Sequence, residues 1–369
     1  MQINPVWKTW GTRTLVVLLI ALVTYLATGK KPEPQIDPLP DEPIFVGAMG
    51  WENRPADVVV ALGAIEQAQG FRPVFATCAA GVEDRTDDPV FFWEAERKVL
   101  GAVQASWNQG QVGSCVSFGW GRGINDLILI GVAAGDGDYP GQPVATEPIY
   151  GGSRVEVGGG RIRGDGSVGA WAGQWVSQRG GVLFRKVYGQ YDLTTYSEQR
   201  CRQWGATGVP DDLEPEAKKH PVQSVALVKT AEEAWSAIGN GYPVPVCSNV
   251  GFQSPLRNGF CEPSGTWAHC MVIRGRFVHP TRGSCFVIQN SWGDYLKASQ
   301  QNRMIEVQGG QPVELPEGCF ATTAAVVDLI VKQGDSFAIS GFKGFPRRKI
   351  DWLIRGKPPQ AHGELALVP

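Results

Sequence analysis

Histidine, closely spaced cysteine pairs and net charge are all scarce in this sequence. Its 369 residues include four histidines and eight cysteines, and no two cysteines stand in a CxxC spacing. Because structural zinc sites commonly use such pairs, no metal centre is expected. The formal net charge of −2 offers no basic footprint for nucleic acid. A GxxxxGK(S/T) phosphate loop is also missing, so we interpret the glycine-rich residues 151–167 as a flexible loop.

The chain is long enough, and at 43% hydrophobic composition apolar enough, for two or more packed layers. Residues 1–13 form an N-terminal tail, and residues 14–28 (TLVVLLIALVTYLAT) carry no charge. This run is short for a membrane span of about 20 residues. Three interpretations stay open: a single-pass transmembrane anchor that leaves the rest outside the cytoplasm, a cleaved signal peptide that leaves a secreted protein, or a buried helix. Residues 29–43 contain five prolines and are predicted to be a linker.

One stretch, residues 108–118, reads NQGQVGSCVSF and places Cys115 directly after a Gly–Ser turn. The apolar residues that follow predict a mostly buried helix of about 15 residues beginning near Val116. Backbone N–H groups at a helix start stabilise a thiolate, which is the nucleophilic form of cysteine. Three glycines weigh against the helix by roughly 1 kcal/mol each, unless close packing requires small residues. They are Gly119, Gly121 and Gly123.

Among the four histidines, His269 is the best candidate for a base that acts on this thiol. It opens an apolar run, residues 270–273, that is predicted to be a buried strand, so a rigid element would hold the ring. His220 and His279 precede prolines and His362 lies in a polar tail, so we predict all three in loops.

These motifs occur in an order that resembles the papain-like cysteine peptidases: NQGxxGSCxxF, an isolated histidine that opens a strand, then NSWG. The resemblance implies that Cys115 is the nucleophile, His269 the general acid and base, and Asn290 the residue that orients the imidazole. It further implies an oxyanion hole formed by Gln109 and the backbone N–H of Cys115. Trp292 would support the site by shielding the imidazole–amide hydrogen bond from water.

The resemblance covers residues 95–331 and implies an α+β, two-lobed, papain-like fold preceded by the N-terminal hydrophobic helix. A helical lobe would occupy about residues 95–205 and an antiparallel β lobe about residues 206–331, with the active-site cleft between them. The strand-like runs of the β lobe are residues 244–247, 270–273, 285–289 and 324–331. Gly166, Ser167 and Trp267 are the candidates for lining the substrate cleft.

Two features depart from the family pattern. Val112 replaces the cysteine that the family usually has three residues before the nucleophile, which removes an expected disulfide. Residues 44–94 show no match to the family's long helical inhibitory propeptide, so they are either a pro-like segment or an N-terminal extension of the catalytic domain.

The other cysteines and the C-terminal tail leave alternatives open. Residues 332–369 form a basic tail that either packs a few apolar side chains on the domain or docks on a membrane surface or a partner. If Cys115 stays free, the other seven cysteines cannot all pair with one another. Disulfides outside the cytoplasm are possible among five of them: Cys201, Cys247, Cys261, Cys285 and Cys319.

The sequence therefore predicts hydrolysis of peptide bonds through an acyl-enzyme, with a peptide or protein substrate, association with a membrane through the N-terminal segment, and no cofactor. It does not predict an oligomeric state. The alternatives are a cell-wall peptide hydrolase or transpeptidase that uses the same Cys–His site, and an inactive binding or structural protein with the same fold.

Overall fold

The structure is a computed structural model in which residues 46–84, 86–253, 256–296, 303–348 and 350 are described. The predicted tail, hydrophobic helix and linker of residues 1–43 lie outside this part of the chain, as do His362 and most of the predicted basic tail. Among the described residues, no helix combines the length and the apolar character needed to span a membrane.

Helices and strands alternate irregularly along the chain. The α-helices are α1 Pro55–Gln69, α2 Phe75–Cys78, α3 Trp93–Leu100, α4 Cys115–Ala134, α5 Glu147–Gly151, α6 Gly169–Gln174, α7 Glu198–Thr207, α8 Glu214–Ala217, α9 Ala231–Gly239 and α10 Ala324–Val331. Two π-helical turns, Gly152–Val157 and Trp175–Arg179, continue α5 and α6. The strands are β1 Val90–Phe91, β2 Val187–Tyr188, β3 Tyr191–Asp192, β4 Ser224–Leu227, β5 Val244–Val250, β6 Thr266–His279, β7 Gly283–Gln289, β8 Met304–Ile305, β9 Val313–Glu314, β10 Cys319–Thr323 and β11 Phe337–Ser340.

Helix α4 is the central helix, and 16 of its 20 residues are buried. The predicted helix is therefore confirmed, and it begins at Cys115 itself. Its glycines allow close packing, because a Cβ on Gly119 would lie 2.9 Å from the carbonyl oxygen of Met271 on β6. A Cβ on Gly121 would lie 3.0 Å from the Thr146 side chain. Glycine is favoured at these positions despite its low helix propensity, because larger residues would push the helix away from β6 and from Thr146.

The main sheet has five antiparallel strands, with β6 as its long central member. β6 pairs with β5 and β1 on one side and with β7 on the other, and β10 pairs with β7. Most residues of β6 are buried, as expected for a strand covered on both faces. Mixed helices and an antiparallel sheet thus agree with the predicted α+β class, and the predicted strands at 244–247, 270–273 and 285–289 are confirmed.

Three secondary-structure predictions are wrong. The glycine-rich residues 151–167 are not a loop throughout, because Gly152–Val157 continue helix α5 as a π-helical turn. Residues 324–331 (AAVVDLIV) form helix α10 and not a strand. The prediction failed because this short apolar run has no clear period, so its buried valines fit either structure. His279 is the last residue of β6 and not a loop residue, since the strand runs six residues beyond the predicted end at Ile273.

The segments before and after the predicted catalytic domain pack on it. Helix α1 packs against α6, and β1 pairs with β6 at Phe91 and Gly275. At the other end β11 pairs with β4, and Phe345 and Ile350 are buried in the same core. The described part of the basic tail therefore packs apolar side chains on the domain, in keeping with the first of its two interpretations.

A buried ion cluster joins α4 to β6 and to the neighbouring helix α3; it consists of Glu96, Arg122, Asp126 and Arg274. Arg274 donates to Asp126 through Nε at 2.9 Å and through Nη2 at 2.7 Å. Both guanidinium groups also bind Glu96. Each buried carboxylate thus faces two cations, which offsets the loss of hydration.

Candidate active site

Cys115 is the first residue of α4 and is fully buried, with 0% of its surface exposed. Burial, and then the neighbouring Cys270 thiol, raise the pKa of Cys115 well above its ordinary value, against the smaller opposite effect of the backbone amides of Cys270, Gly50 and Val116. In this closed structure the thiol therefore stays protonated at neutral pH.

His269 and Asn290 are joined by a direct hydrogen bond. Because Gln289 pairs with Val272, Asn290 leaves β7 beside the beginning of β6, where His269 lies. His269 Nε2 is 2.8 Å from Asn290 Oδ1, and Oδ1 also accepts the backbone N–H of Ser291 at 2.6 Å. An amide oxygen can only accept a hydrogen bond, so Nε2 must be the donor and carries the imidazole proton. Nδ1 is then the atom that can take a proton.

The neutral imidazole is the stable form in this environment. Burial lowers the pKa of His269 to about 4, against the opposite effect of its hydrogen bond to Asn290. Nδ1 is buried and has no hydrogen-bond partner among the described residues, so no hydrogen bond joins it to the Cys115 sulphur in this state. A Cβ on Gly119, one turn along α4 from Cys115, would lie 3.0 Å from the sulphur of Cys270, the residue after His269. The strand that carries His269 therefore packs against the first turn of α4.

Two tryptophan rings pack against the imidazole. The ring centroid of Trp292 lies 4.7 Å from that of His269 and 4.7 Å from that of Trp267. Trp292 is 3% exposed and Trp267 is fully buried, so both exclude water from the His269–Asn290 hydrogen bond. Trp267, a candidate for the cleft wall, packs here beneath Trp292.

Gln109 is held close to this group from the helical side. Its backbone N–H donates to the carbonyl oxygen of Ser291 at 2.9 Å, and its side-chain Oε1 accepts from Ser291 Oγ at 2.6 Å. These bonds leave the side-chain Nε2 as the donor. Nε2 is bonded at 2.9 Å to the carbonyl oxygens of Val112 and Ala48.

Residues 47–52, which we call the cleft strap, lie along the site. The Ala48 carbonyl oxygen accepts from Gln109 and also from Trp292 Nε1, at 3.1 Å. The backbone N–H groups of Gly50 and Trp51 both donate to the carbonyl oxygen of Ala268, at 3.1 and 3.0 Å. The strap therefore binds through its main chain to both sides of the candidate site.

The strap also pairs with one of the predicted cleft residues. Ser167 N donates to the carbonyl oxygen of Gly50 at 2.8 Å, and Glu52 N donates to the carbonyl oxygen of Ser167 at 2.9 Å. Trp51 and Ser167 thus form a parallel β-bridge. Gly166 adopts φ +121° beside it, where a Cβ would lie 3.2 Å from the Gly50 oxygen. Gly166 and Ser167 are therefore in direct contact with the strap, and their place in a substrate cleft stays a prediction.

Two glycines allow the strap to approach so closely. A Cβ on Gly50 would lie 1.8 Å from the carbonyl oxygen of Gly113, two residues before Cys115. A Cβ on Gly47 would lie 2.5 Å from the Trp292 ring. Any side chain at position 50 would therefore collide with the turn that precedes the thiol.

No protein-family model and no curated protein sequence matches the chain. Solved structures similar to it include xylellain, a cysteine protease from Xylella fastidiosa, at 14% identity and TM-score 0.47, over 82% of this chain and 95% of that one. Digestive procathepsin L 3 of Tenebrio molitor gives 13% identity and TM-score 0.44, over 77% and 89%. The bromelain protease of Ananas comosus gives 16% and 0.43, over 69% and 99%.

The chain is similar in fold to papain-like cysteine proteases. At such low identity this likeness concerns the fold alone. The chemistry of the site is therefore inferred from the chain's own residues.

The site offers nucleophilic and acid–base groups but no metal-binding set. In the part of the chain that the structure describes, no group of three or more His, Cys, Asp or Glu side chains is arranged to hold a metal ion. All eight cysteines are free thiols, so none of the possible disulfides is formed.

Sequence reasoning missed three contributors to the site: the cleft strap, the Ala268 carbonyl group, and Asp335, whose carboxylate accepts from Trp51 Nε1 at 2.7 Å. The spacing of Gly47 and Gly50 before Trp51 is a local signal for the strap. The other two have none, because a backbone carbonyl group carries no sequence pattern and Asp335 lies far from the other residues in the chain.

Proposed function

We propose that the chain is a cysteine peptidase that hydrolyses peptide bonds through an acyl-enzyme on Cys115. The observation that carries this proposal is the 2.8 Å hydrogen bond between His269 Nε2 and Asn290 Oδ1, which leaves Nδ1 unprotonated on a strand that packs against the first turn of α4, where Cys115 lies. A thiol with a base whose tautomer is held by a third residue is the arrangement that nucleophilic catalysis requires.

In the proposed reaction, His269 Nδ1 takes the thiol proton and the Cys115 thiolate attacks the scissile carbonyl carbon. The resulting oxyanion accepts N–H donors from Gln109 Nε2 and the Cys115 backbone. His269 then protonates the leaving amine and afterwards activates the water that releases the acyl group. Asn290 keeps the imidazole in the productive tautomer and orientation throughout.

The cleft strap must leave before a substrate can bind. It takes the Gln109 N–H that an oxyanion would need, and it buries the Cys115 sulphur. Its departure would admit water and reverse the burial that raises the pKa of Cys115 and lowers that of His269. Both shifts would then favour the thiolate–imidazolium pair. The structure thus represents a closed form of the proposed enzyme.

Two further parts of the proposal come from the sequence alone. The substrate would be a peptide or protein, and residues 14–28 would tether the catalytic region to a membrane, outside the cytoplasm. Extraction of the full chain from membranes with carbonate, compared with a chain that begins at residue 29, tests the tether.

The peptidase proposal is tested by hydrolysis of a peptide mixture, with new N-termini identified by mass spectrometry. Cys115→Ala should lower turnover at least about a thousandfold without loss of folding, since no other group can form the acyl-enzyme. Cys78→Ala is the matched control, because Cys78 is a half-buried thiol at the end of α2, and it should keep full activity.

Full activity of Cys115→Ala would refute the assignment. If the unaltered chain hydrolyses no peptide and Cys115 does not react with iodoacetamide at mildly acidic pH, the chain is an inactive protein of this fold. Added amine nucleophiles and purified cell wall as alternative substrates distinguish a transpeptidase or a wall hydrolase from a general peptidase.

A further inference from the structure

Three of the eight cysteines lie where helix α4 packs against strands β5 and β6: Cys115, Cys247 and Cys270. The Cys270 thiol points at α4, since a Cβ on Gly119 would lie 3.0 Å from its sulphur. Cys115 and Gly119 are four residues apart, so they are neighbours on one face of the helix. Glycine at position 119 thus leaves room for the Cys270 sulphur one turn from Cys115.

Cys247 faces Cys270 across the two strands. The two residues are directly paired in the antiparallel ladder, so their side chains lie on the same face of the sheet. Two positions along, Pro245 pairs with Val272, and that pair is not hydrogen-bonded because proline has no N–H to exchange. Alternation along the ladder makes Cys247–Cys270 a non-hydrogen-bonded pair as well, with Cα atoms about 4.5 Å apart. This spacing is within the range that a disulfide spans, about 4.4–6.8 Å.

Cys270 is the neighbour that the other two thiols share. All three residues are buried with 0% of their surface exposed, and all three are free thiols. After burial, Cys270 is the next cause that raises the pKa of Cys115 and the pKa of Cys247. The proposed hydrolysis uses Cys115 alone, so the two further thiols at this contact have no part in it.

We propose that these three residues form a thiol relay, in which a hydroperoxide oxidises Cys115 and the oxidation ends as a disulfide between Cys247 and Cys270, with Cys115 returned to its thiol. The relay rests on the reactive Cys115 thiolate of the proposed function and goes beyond it, because no peptide takes part. It acts when the strap has left, since a thiolate attacks a peroxide and a buried thiol does not.

Each step balances in atoms and electrons. The Cys115 thiolate attacks one peroxide oxygen; an S–O bond forms, the O–O bond breaks, and the other oxygen leaves and is protonated to an alcohol or water. The Cys270 sulphur then attacks the Cys115 sulphur, an S–S bond forms, and the thiol proton leaves with the oxygen as water. Cys247 attacks the Cys270 sulphur, and its proton goes to the departing Cys115. Cys247 and Cys270 lose two electrons in all, and the peroxide gains them.

The simpler role for Cys247 and Cys270 is that of small apolar side chains that fill the contact. The two roles differ in the fate of Cys115 after oxidation. Without a resolving thiol, its sulphenic acid persists and is oxidised further to the sulphinic acid, which thiols do not reverse. With the relay, Cys115 is recovered without an added reductant.

The experiment treats the full chain and its Gly50→Ala variant with hydrogen peroxide; the added methyl group should displace the strap and admit the peroxide. The reaction is stopped with N-ethylmaleimide, and the chain is digested with trypsin without reduction and analysed by mass spectrometry. Trypsin leaves Cys115, Cys247 and Cys270 on three separate peptides. We expect the last two peptides to be joined by a disulfide, and Cys115 to be recovered as its maleimide adduct.

Cysteine variants stop the relay at defined steps. With Cys270→Ala, Cys115 should stop as its sulphenic acid, which dimedone traps, and sulphinic acid at Cys115 should rise at least about tenfold. With Cys247→Ala the relay should stop one step later, at a disulfide between Cys115 and Cys270. Cys261→Ala is the matched control, because Cys261 is also a buried free thiol and shares a tryptic peptide with Cys270, and it should leave the product unchanged.

The mapping of the unaltered chain changes no cysteine, so it tests the relay even if a cysteine variant fails to fold. Oxidation of Cys115 to sulphinic acid with no disulfide at Cys247 or Cys270 would overturn the relay and leave the peptidase proposal intact. The same disulfide formed at an equal rate in Cys115→Ala would overturn it too, because peroxide would then reach the pair directly. If neither hydrogen peroxide nor iodoacetamide modifies Cys115 in either chain, the relay and the peptidase proposal fail together.

Discussion

Helix α4 and strand β6 meet at two buried polar sites, one that holds charged groups and one that holds neutral groups. At one, Arg122 and Asp126 of α4 and Arg274 of β6 form the buried ion cluster with Glu96. At the other, Cys115 of α4 lies beside the chain next to His269 of β6, and the imidazole Nδ1 has no partner among the described residues.

The ion cluster anchors the helix to the sheet, whereas the Cys115 site is the one suited to reaction. In the ion cluster burial raises the pKa of Asp126 and lowers that of Arg122, whereas at Glu96 and Arg274 the opposite charges outweigh burial, lowering the first pKa and raising the second. We assign the charged forms to the cluster because Arg274 binds Asp126 through two N–H groups, a geometry that favours an ion pair. At the thiol no opposite charge compensates burial, and the neutral forms are favoured. Groups that are fully paired hold the two elements together, whereas groups left neutral and partly unpaired remain available for reaction once the strap leaves.

The largest expected effect is a loss of stability when the ion cluster is broken. Arg274→Met should lower the free energy of unfolding by about 3–5 kcal/mol, because it leaves Asp126 and Glu96 buried with one cation fewer. Urea unfolding measures the loss. Arg202→Met is the control, since Arg202 pairs with Glu198 at 3.3 Å on the surface, and it should cost less than about 1 kcal/mol. Equal losses in the two variants would contradict a special role of the cluster.

The second prediction concerns the reactive place and its pH dependence. The folded chain holds His269 neutral with a pKa of about 4, below the ordinary value of 6.5. As the pH falls below 6.5, His269 is protonated in the unfolded chain, whereas in the folded chain it stays neutral down to about pH 4. The contribution of this histidine to stability should therefore fall by about 3 kcal/mol between pH 7 and pH 4.

Comparison with His269→Gln isolates this contribution from those of other groups, because glutamine does not titrate and keeps an N–H that can reach Asn290. Unfolding free energies of both chains are measured between pH 4 and pH 7. Parallel curves over this range would show that His269 is not held neutral by burial.

The smallest expected effect is a faster reaction of Cys115 when the strap is displaced and the side chains of the site are unchanged. Gly50→Ala places a methyl group against the Gly113 carbonyl oxygen, which should displace the strap and raise the rate of Cys115 alkylation by iodoacetamide about tenfold. Gly63→Ala in α1 is the matched control, because a Cβ there meets nothing within 4 Å. If both variants react at the unaltered rate, the strap does not limit access to the thiol.

Local patterns were sufficient for several elements and insufficient for others. The long helix at Cys115 and the strand at His269 follow from apolar runs, although both are longer than those runs predict, at Cys115–Ala134 and Thr266–His279. Residues 324–331 were assigned to a strand because eight mainly apolar residues packed on one side fit a helix or a strand equally well. Arg122 and Asp126 are four residues apart on α4, but the other pairs of the ion cluster have no local sign, since they join residues up to 178 positions apart.

By itself the sequence determined which side chains are available for chemistry: a cysteine at a helix start, one histidine that opens a strand, and an amide at the end of the next strand. Only the tertiary structure decided that His269 and Asn290 are hydrogen-bonded, that the strap is bonded to both sides of the candidate site, and that Asp335 meets Trp51. The physical reason is that a helix start or a strand is set by neighbouring residues. The closed state depends instead on backbone hydrogen bonds and glycine contacts between distant segments, and these exist only after the chain has folded.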